Sequence, residues 1–392
     1  MRIDTRLADR LKKINPSLTL AITAKAKKLK ADGFDVLNFG AGEPDFDTPD
    51  FIKKAAIEAI NSGFTKYTPT TGIPELKKLI AEKFKKDNSL EYSFNQIVVS
   101  CGAKHSIFNA LFVLLNRHDE VLIPLPYWVS YPEMVKLCEA TPRFIKTMPS
   151  NDFKITAKDL EKHITTKTKV LILNSPSNPA GCVYSSQELK EIAEVCVKKR
   201  IFVLSDEIYE KIVFDNTSHV SIASFNKEIY DLTVTVNGLS KSYSMTGWRI
   251  GYLGAPLDVA EAISNLQDHS TSNPNSIAQK AAVAALSSSN EDFFKNVCLE
   301  FKNRRDYVIS RLKGMKKIGY VNPQGAFYVF CDIGKTKLDS MTFASRLLEE
   351  AYVSLIPGNG FGMDKYVRIS FATSMDTIKN GMDRLEQWLN KL

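Results

Sequence analysis

The chain has 392 residues, more than one hydrophobic core usually serves, so we expect two domains. Hydrophobic residues make up 44% and charged residues 24%, which is typical of a soluble globular enzyme. The net charge of +8 is spread over mixed helical faces rather than a basic block interleaved with aromatic residues, so no nucleic-acid partner is expected.

The N-terminal residues MRIDTRLADRLKK are charged, and no run of 18 apolar residues occurs, so neither a secretory signal nor a membrane span is expected. The six cysteines are scattered without a Cys-x-x-Cys pair. This spacing argues against a disulfide framework and a metal site, and it fits a reducing compartment. We therefore predict a cytoplasmic protein without a bound metal.

Short apolar runs alternate with amphipathic helical stretches between about residues 50 and 290. The first predicted strand covers 97–100 and is followed by a helix over 107–115. Further strands are predicted over residues 121–123, 170–173, 201–204, 232–236 and 250–253. Several runs are continuous and β-branched, as in strands buried on both faces. The alternation predicts an α/β fold with a mostly parallel, doubly wound sheet.

From about residue 290 the pattern changes to that of a smaller α+β domain. A charged helix is predicted over 292–313, and apolar or alternating stretches follow at 325–330 and 366–371. We predict a large ligand-binding domain over residues 46–290. The small domain would combine residues 291–392 with residues 1–45, which include an N-terminal arm.

The segment over residues 233–251 carries the most informative pair of residues. A β-branched strand delivers Lys241 into a Ser/Tyr/Gly-rich loop, and Arg249 follows eight residues later. A lysine at the mouth of a buried strand tends to have a lowered pKa and a nucleophilic amine. Lysine for an aldehyde and arginine for a phosphate are what pyridoxal phosphate requires. For this segment alone, a solvated loop lysine beside a structural arginine is the alternative.

Polar side chains at other strand ends could complete such a site, because ligands of doubly wound sheets collect at the carboxyl ends of strands. Asp206 could hold a pyridine nitrogen protonated, and Tyr209 could hydrogen-bond a ring hydroxyl. Asn178 lies in a proline-containing turn that could direct its amide into a cleft. Taken singly, these residues would be a helix cap, a packed tyrosine and ordinary turn chemistry.

Three further features fit the same ligand. Trp128 offers a face for stacking on a ring, although core packing would also explain it. Gly102 and Ala103 open a helix whose backbone N–H groups could bind phosphate. Arg368 lies in an alternating strand, where an inward arginine needs an anion; a substrate carboxylate or a structural salt bridge would serve.

The motifs that contain these residues resemble, in order and spacing, the class I pyridoxal-phosphate-dependent aminotransferases of fold type I over nearly the whole chain. The matching motifs are AGEPDF at 41–46, KYTP at 66–69 with Gly72, YW at 127–128, NSPSNP at 174–179, SDEIY at 205–209, NGLSK at 237–241, TGWRIG at 246–251 and Arg368. Within this family the chain is most similar to the bacterial aspartate aminotransferases of the Iγ type, some of which also act on prephenate.

The resemblance implies a role for each residue. Lys241 would hold the cofactor in a Schiff base, Asp206 would pair with the pyridinium, and Tyr209 and Asn178 would bind the ring oxygen. Trp128 would stack on the ring. The implied phosphate ligands are Arg249, Gly102, Ala103, Ser240 and Tyr67 of a partner subunit. The implied substrate contacts are Gly42, Trp128, Asn178 and Arg368, with Lys104, Ser17 and Thr19 for an acidic side chain.

One position departs from the family pattern, because Gly238 stands where many relatives carry a phosphate-binding serine. The resemblance implies a homodimer that transfers an amino group from L-aspartate to 2-oxoglutarate, giving oxaloacetate and glutamate. The reaction would be ping-pong, through aldimine and ketimine stages. The alternatives are a prephenate, aromatic or alanine aminotransferase, or a lyase or racemase of the same fold. A non-enzymatic regulatory protein would lack this complete set of residues.

Overall fold

A computed structural model describes residues 8–14, 18–287 and 291–392, with the backbone alone for residues 18–21. Within these residues no helix combines the length and apolar character needed to cross a bilayer. The strands are β1 (Leu37–Asn38), β2 (Ile97–Ser100), β3 (Glu120–Pro124), β4 (Thr141–Ile145), β5 (Thr168–Asn174), β6 (Phe202–Asp206), β7 (Thr233–Gly238), β8 (Gly251–Gly254), β9 (Gly319–Tyr320), β10 (Tyr328–Asp332), β11 (Val353–Ser354), β12 (Ile356–Pro357) and β13 (Tyr366–Ser370). The α-helices are α1 (Leu18–Ala31), α2 (Asp50–Asn61), α3 (Pro74–Asn88), α4 (Ala103–Leu114), α5 (Ser130–Leu137), α6 (Ala157–His163), α7 (Ser186–Lys199), α8 (Lys227–Tyr230), α9 (Leu257–Asp268), α10 (Ser276–Ser287), α11 (Glu291–Gly314), α12 (Ser340–Ala351) and α13 (Met375–Lys391).

The central sheet has seven strands in the order β2-β8-β7-β6-β5-β3-β4. All neighbouring pairs are parallel except those of β8, which runs antiparallel to both β2 and β7. The predicted α/β fold with a mostly parallel sheet is therefore confirmed. β4 was not predicted, because it carries Pro142 and Arg143 and most of its residues are exposed or half-buried.

Helices cover both faces of this sheet, as a doubly wound fold requires. Val98 and Ile172 pack into one apolar cluster with α4, α5 and α9. Their chain neighbours Val99 and Leu171 point to the opposite face, into clusters with α2, α3 and α10 or with α6 and α7. Burial on both faces explains why the sequence of these strands is apolar throughout.

The C-terminal part forms a second sheet, which is antiparallel and has the order β12-β13-β10-β9. It shares one apolar cluster with α11, α12 and α13 and with Phe39 from the N-terminal part. β1 also pairs with β11, so residues near 37–39 are tied to this part of the molecule. The predicted helix over 292–313 corresponds to α11, while the domain boundaries at 46 and 290 stay predictions.

The central sheet brings its polar strand ends to one edge. Asn174, at the end of β5, lies beside Asp206, at the end of β6. Because β8 is antiparallel, its first residue, Gly251, lies at the same edge beside Gly238 and Ser100. The lysine loop after β7 and the arginine before β8 therefore both face this edge.

Candidate active site

A cavity of about 400 Å³ opens at this edge and extends to the second sheet. It brings together residues that are far apart in the chain. The predicted site residues in its lining are Gly42, Ala103, Lys104, Trp128, Asn178, Asp206, Tyr209, Ser240, Lys241, Arg249 and Arg368. A small organic ligand fits a cavity of this size with convergent polar groups.

The amine of Lys241 donates to the Gly42 carbonyl over 2.5 Å. Burial lowers the pKa of Lys241 to about 8, and the guanidinium groups of Arg368 and Arg249 add to this effect, while Glu43 opposes it. At neutral pH a useful fraction of this amine is therefore uncharged, which is the state that attacks a carbonyl.

Asp206 is buried, and its carboxylate is held by two donors. The Tyr131 hydroxyl donates to Oδ2 over 2.6 Å, and the Ile208 N–H donates to Oδ1 over 3.3 Å. Burial raises the pKa of Asp206 to about 6, although the Tyr131 hydrogen bond opposes this rise. The group is therefore ionised at neutral pH but retains a strong tendency to bind a cationic partner.

Tyr209 and Tyr328 bring the two sheets together at the cavity. Their hydroxyl groups lie 2.9 Å apart, and both side chains are buried. Burial, reinforced by the neighbouring Tyr328, raises the pKa of Tyr209 well above its usual value. Tyr209 therefore stays a neutral phenol that can donate a hydrogen bond into the cavity.

Arg368 is 3% exposed and lies with its guanidinium 4.3 Å from the centroid of the Tyr328 ring. It donates to the Asn178 side-chain oxygen over 3.0 Å and to the Gly40 carbonyl over 2.9 Å. Its Nε has no hydrogen-bond partner, and no carboxylate in the described chain forms an ion pair with it. Because a buried cation without a counter-ion is costly, this guanidinium is a site for an anionic ligand.

The N-terminus of α4 and Arg249 form a second anion-binding end of the cavity. Gly102 caps α4 with a φ of 89°, and a Cβ atom there would lie 2.3 Å from a terminal nitrogen of Arg249. Glycine thus allows the guanidinium to approach the helix N-terminus closely. The Arg249 guanidinium donates to the carbonyls of Thr246 and Cys101 and forms no ion pair in the described chain. Helix N–H groups and an arginine together suit a phosphate.

The close approach of β7 and β8 explains why position 238 is a glycine in this chain. A Cβ atom at this position would lie 3.1 Å from the Cα of Gly251, its partner on β8. The close pairing of these two strands therefore favours glycine, and a serine would be crowded. Ser240, two residues further along, lines the cavity instead.

Lys104 lies in the first turn of α4, with its ammonium 4.9 Å from the centroid of the Trp128 ring. Burial lowers the pKa of Lys104, and the neighbouring Arg249 adds to this effect. No ion pair with Lys104 occurs in the described residues, so its charge is available to a ligand of the cavity.

Two of the predicted site residues that the structure describes, Gly102 and Tyr67, are absent from the cavity lining. Gly102 lies behind Arg249, as described above. Tyr67 is 90% exposed and is not among the residues that line the cavity of its own subunit. Ser17 lies outside the described residues, and Thr19 lies in α1, where only the backbone is described.

A buried polar network involves Glu207 and Glu210, the chain neighbours of Asp206 and Tyr209. Glu207 accepts from His219 over 3.0 Å, and the Asn88 amide bridges Glu207 and Glu210. Lys83 forms an ion pair with Glu210. The ligand atoms of Glu207, Glu210 and His219 lie within 4.8 Å of one another, but Lys83 and Asn88 already bind these carboxylates. The network therefore braces the turn after β6.

Sequence reasoning missed two tyrosines that contact the predicted residues. Tyr131 follows Trp128 by three residues at the start of α5, and the two rings pack edge to face with centroids 5.2 Å apart. Tyr328 belongs to the second sheet, and nothing local in the sequence indicates that it meets Tyr209.

Comparison with known proteins places this arrangement in context. The family model for class I and II aminotransferases matches residues 35–385. The chain is 47% identical over 388 residues to an aspartate aminotransferase of Bacillus sp. (strain YM-2), covering 98% of this chain and 99% of that protein. It is also 47% identical over 393 residues to a probable aspartate/prephenate aminotransferase of Rhizobium leguminosarum bv. phaseoli, covering 97% and 98%.

Solved structures agree with these sequence matches. The aspartate aminotransferase from Rhizobium meliloti superposes with a TM-score of 0.95 at 40% identity, covering 99% of this chain and 100% of that one. The aspartate aminotransferase from Thermus thermophilus with maleate gives a TM-score of 0.94 at 37% identity, covering 98% and 100%.

Proposed function

Because the chain belongs to the class I and II aminotransferases, we propose that it binds pyridoxal phosphate and transfers an amino group from L-aspartate to 2-oxoglutarate, giving oxaloacetate and glutamate. The observation that carries this proposal is the buried guanidinium of Arg368, whose Nε lacks a partner in the cavity that holds Lys241. Amino acids and 2-oxo acids share a carboxylate next to the reacting carbon, and Arg368 would bind it with paired hydrogen bonds. The relatives named aspartate aminotransferase favour aspartate as donor.

The polar and aromatic groups of the cavity fit pyridoxal phosphate. The amine of Lys241 suits the aldehyde, the carboxylate of Asp206 suits the ring nitrogen, and Arg249 with the Ala103 N–H suits the phosphate. Trp128 and Tyr209 supply a stacking face and a phenol for the ring and its oxygen. When bound, the cofactor supplies an electron sink for the amino acid's α-carbon.

The residues of this chain would then control protons and charge. Asp206, ionised above its pKa of about 6, would hold a positive charge on the ring nitrogen. Lys241, with a pKa of about 8, would remove and return the proton at the α-carbon as general base and acid. Asn178, which accepts from Arg368, would fix the orientation of that guanidinium.

Specificity for acidic substrates would come from Lys104. Its ammonium projects into the cavity near Trp128 and has no counter-ion among the described residues. We propose that it binds the second carboxylate of aspartate or 2-oxoglutarate. Ser17 and Thr19, predicted to assist from the N-terminal segment, belong to this proposal as well.

An assay of purified protein with a panel of amino donors and oxo-acid acceptors tests the function. Lys104→Ala should raise the KM for aspartate and 2-oxoglutarate far more than for alanine or aromatic substrates. The difference between the two substrate classes should correspond to roughly 2–4 kcal/mol of binding free energy. Lys53→Ala, which removes a lysine from the first turn of α2, is the matched control and should leave the panel unchanged. A uniform loss across the panel would contradict the role of Lys104.

Prephenate is the second candidate acceptor, because a relative at 47% identity is named a probable aspartate/prephenate aminotransferase. Prephenate also carries a second carboxylate, so Lys104 would serve both acceptors and its replacement does not separate them. Direct comparison of kcat/KM for prephenate and 2-oxoglutarate, with aspartate as donor, does.

We further propose a cytoplasmic homodimer in which Tyr67 reaches the phosphate of the partner's site. The 90% exposure of this tyrosine supports the assignment, as does the exposed Arg249, which forms no ion pair with the residues that the structure describes. Light scattering should give a dimer. Full activity in a monomer at nanomolar concentration would contradict it.

A further inference from the structure

Two fully buried glutamines hold the loop that carries Tyr67. Gln279 of α10 and Gln267 of α9 are each 0% exposed, although glutamine is usually a surface residue. Both extend their amides toward residues 68–73 rather than toward the cavity. A buried amide is stable only when its donors and acceptor are all used, so these contacts explain their burial.

Gln279 makes the larger set of contacts to the loop itself. Its oxygen accepts from the Ile73 N–H over 2.8 Å, and its nitrogen donates to the Thr68 hydroxyl over 2.9 Å. The same nitrogen donates to the Pro274 carbonyl over 2.9 Å. Thr68, the residue next to Tyr67, is therefore fixed to the core through the side chain of Gln279.

Gln267 fixes the middle of the loop. Its nitrogen donates to the carbonyl of Thr70 over 2.8 Å and to that of Val99 over 2.9 Å, while its oxygen accepts from Ser100. The Val99 N–H also donates to the Thr71 carbonyl over 3.0 Å. The Thr68 hydroxyl and backbone groups of Thr70, Thr71 and Ile73 are thus each hydrogen-bonded to buried residues.

Tyr67 differs from these residues, because it is 90% exposed although the residues that follow it are hydrogen-bonded to the core. Fixing this loop while leaving the Tyr67 ring exposed adds little apolar burial within the subunit itself. It does lower the entropy cost when that side chain binds elsewhere. Exposed tyrosines on preorganised backbone are typical anchors of interfaces.

We propose that Gln279, assisted by Gln267, is a positioning residue for the cofactor site of the partner subunit, because it fixes the loop that presents Tyr67 to that site. This inference rests on the proposed function, which places Tyr67 at the partner's phosphate. Gln279 does not line the cavity of its own subunit, so we expect the loop to carry its effect. Its replacement should therefore weaken cofactor binding in the neighbouring site only.

The test uses full-length loaded dimers and measures pyridoxal phosphate affinity instead of turnover. Dimers are dialysed against decreasing cofactor concentrations, and borohydride then fixes only the cofactor joined to Lys241. The Gln279→Leu homodimer should show a Kd for pyridoxal phosphate about tenfold higher than the unmodified chain, as loss of one or two net hydrogen bonds implies. Thr68→Val, which removes the loop's acceptor while leaving the core glutamine intact, should act in the same direction.

Two heterodimers, purified with separate tags, decide which site Gln279 serves. In the first, one subunit carries Gln279→Leu and its partner carries Lys241→Ala, so the only Lys241 site receives an intact loop and should bind normally. In the second, one subunit carries both changes and its partner is unmodified, so the only Lys241 site receives the altered loop and should bind about tenfold more weakly.

Gln96→Leu is the matched control, because Gln96 also bonds two backbone groups but lies at the far end of β2. It should leave the cofactor Kd unchanged. Weak binding in the first heterodimer with normal binding in the second would show that Gln279 acts within its own subunit, and would overturn the inference while leaving the proposed function intact. An unmodified chain that binds no pyridoxal phosphate would overturn both.

Discussion

Replacing Asp206 with asparagine should stabilise the cofactor-free protein at neutral pH. Burial raises the pKa of Asp206 from 3.8 to about 6, so the folded protein retains this proton over a range in which the unfolded chain has lost it. The free energy of unfolding therefore falls as pH rises from about 4 to about 6, and the cost is complete above that. A difference of about two pH units corresponds to about 3 kcal/mol. Because asparagine accepts a weaker hydrogen bond from Tyr131, we expect a net gain of about 1–3 kcal/mol.

Urea unfolding of the cofactor-free protein at pH 4 and pH 8 measures this effect. The variant should gain stability relative to the unmodified chain at pH 8 and little at pH 4. Asp215→Asn is a control of opposite sign, because Arg305 holds the pKa of Asp215 below its usual value despite partial burial. That variant should lose stability at pH 8.

Asp206→Asn should also reduce the rate of amino transfer at least a hundredfold, because a fixed charge in a dry site lowers the barrier by roughly 3 kcal/mol or more. An Asp206→Asn protein that is less stable than the parent at both pH values would refute this prediction, since it would mean that burial does not destabilise the ionised carboxylate. Near-normal turnover would refute the role in charge stabilisation.

Three further outcomes are expected. Borohydride should fix the cofactor on Lys241, as peptide mapping would reveal, and a label on another lysine would contradict the assignment. Tyr131→Phe removes a charge-assisted hydrogen bond that lowers the pKa of Asp206, so in the cofactor-free protein the pH range over which the free energy of unfolding falls should move upward, whereas an unmoved range would exclude this coupling. Although burial lowers the pKa of His219, Glu207 raises it, so that the net pKa of His219 is raised. This pair therefore stabilises the fold below about pH 6.5, and its contribution is lost as the pH rises through the raised pKa. The free energy of unfolding of His219→Gln should lack this pH dependence, and an unchanged pH dependence would contradict the role of the pair.

The strands of the central sheet could be predicted from sequence because burial on both faces demands apolar residues at every position. The same rule fails for β4, an edge strand whose exposed residues need not be apolar, and for the direction of β8. Parallel and antiparallel strands have similar patterns when both are buried, so Gly251–Gly254 gave no local indication of its reversal.

The candidate site divides in a similar way. Lys241 and Asp206 could be predicted as site residues because both lie at or just after the ends of strands of the same sheet. A solvated loop lysine or a helix cap explains either residue alone, but not the whole set of polar residues at neighbouring strand ends. Tyr328 could not be predicted, since its contact with Tyr209 depends on how a second sheet packs against the first. The requirement for glycine at position 102 also depends on a distant residue, because Arg249 lies against this position only in the folded chain.

The reversal of β8 has a consequence for the tolerated length of the chain. Residues 239–250 join β7 to β8 at one edge, with Lys241 near the first strand and Arg249 next to the second. Because both strand ends are fixed by their pairing, one inserted residue would add up to about 3.5 Å of contour between the amine and the guanidinium. Insertion scanning should therefore find insertions next to Lys241 or Arg249 more damaging than insertions at the exposed Gly247, where nothing lies within 4 Å of a Cβ position and the added length can extend into solvent.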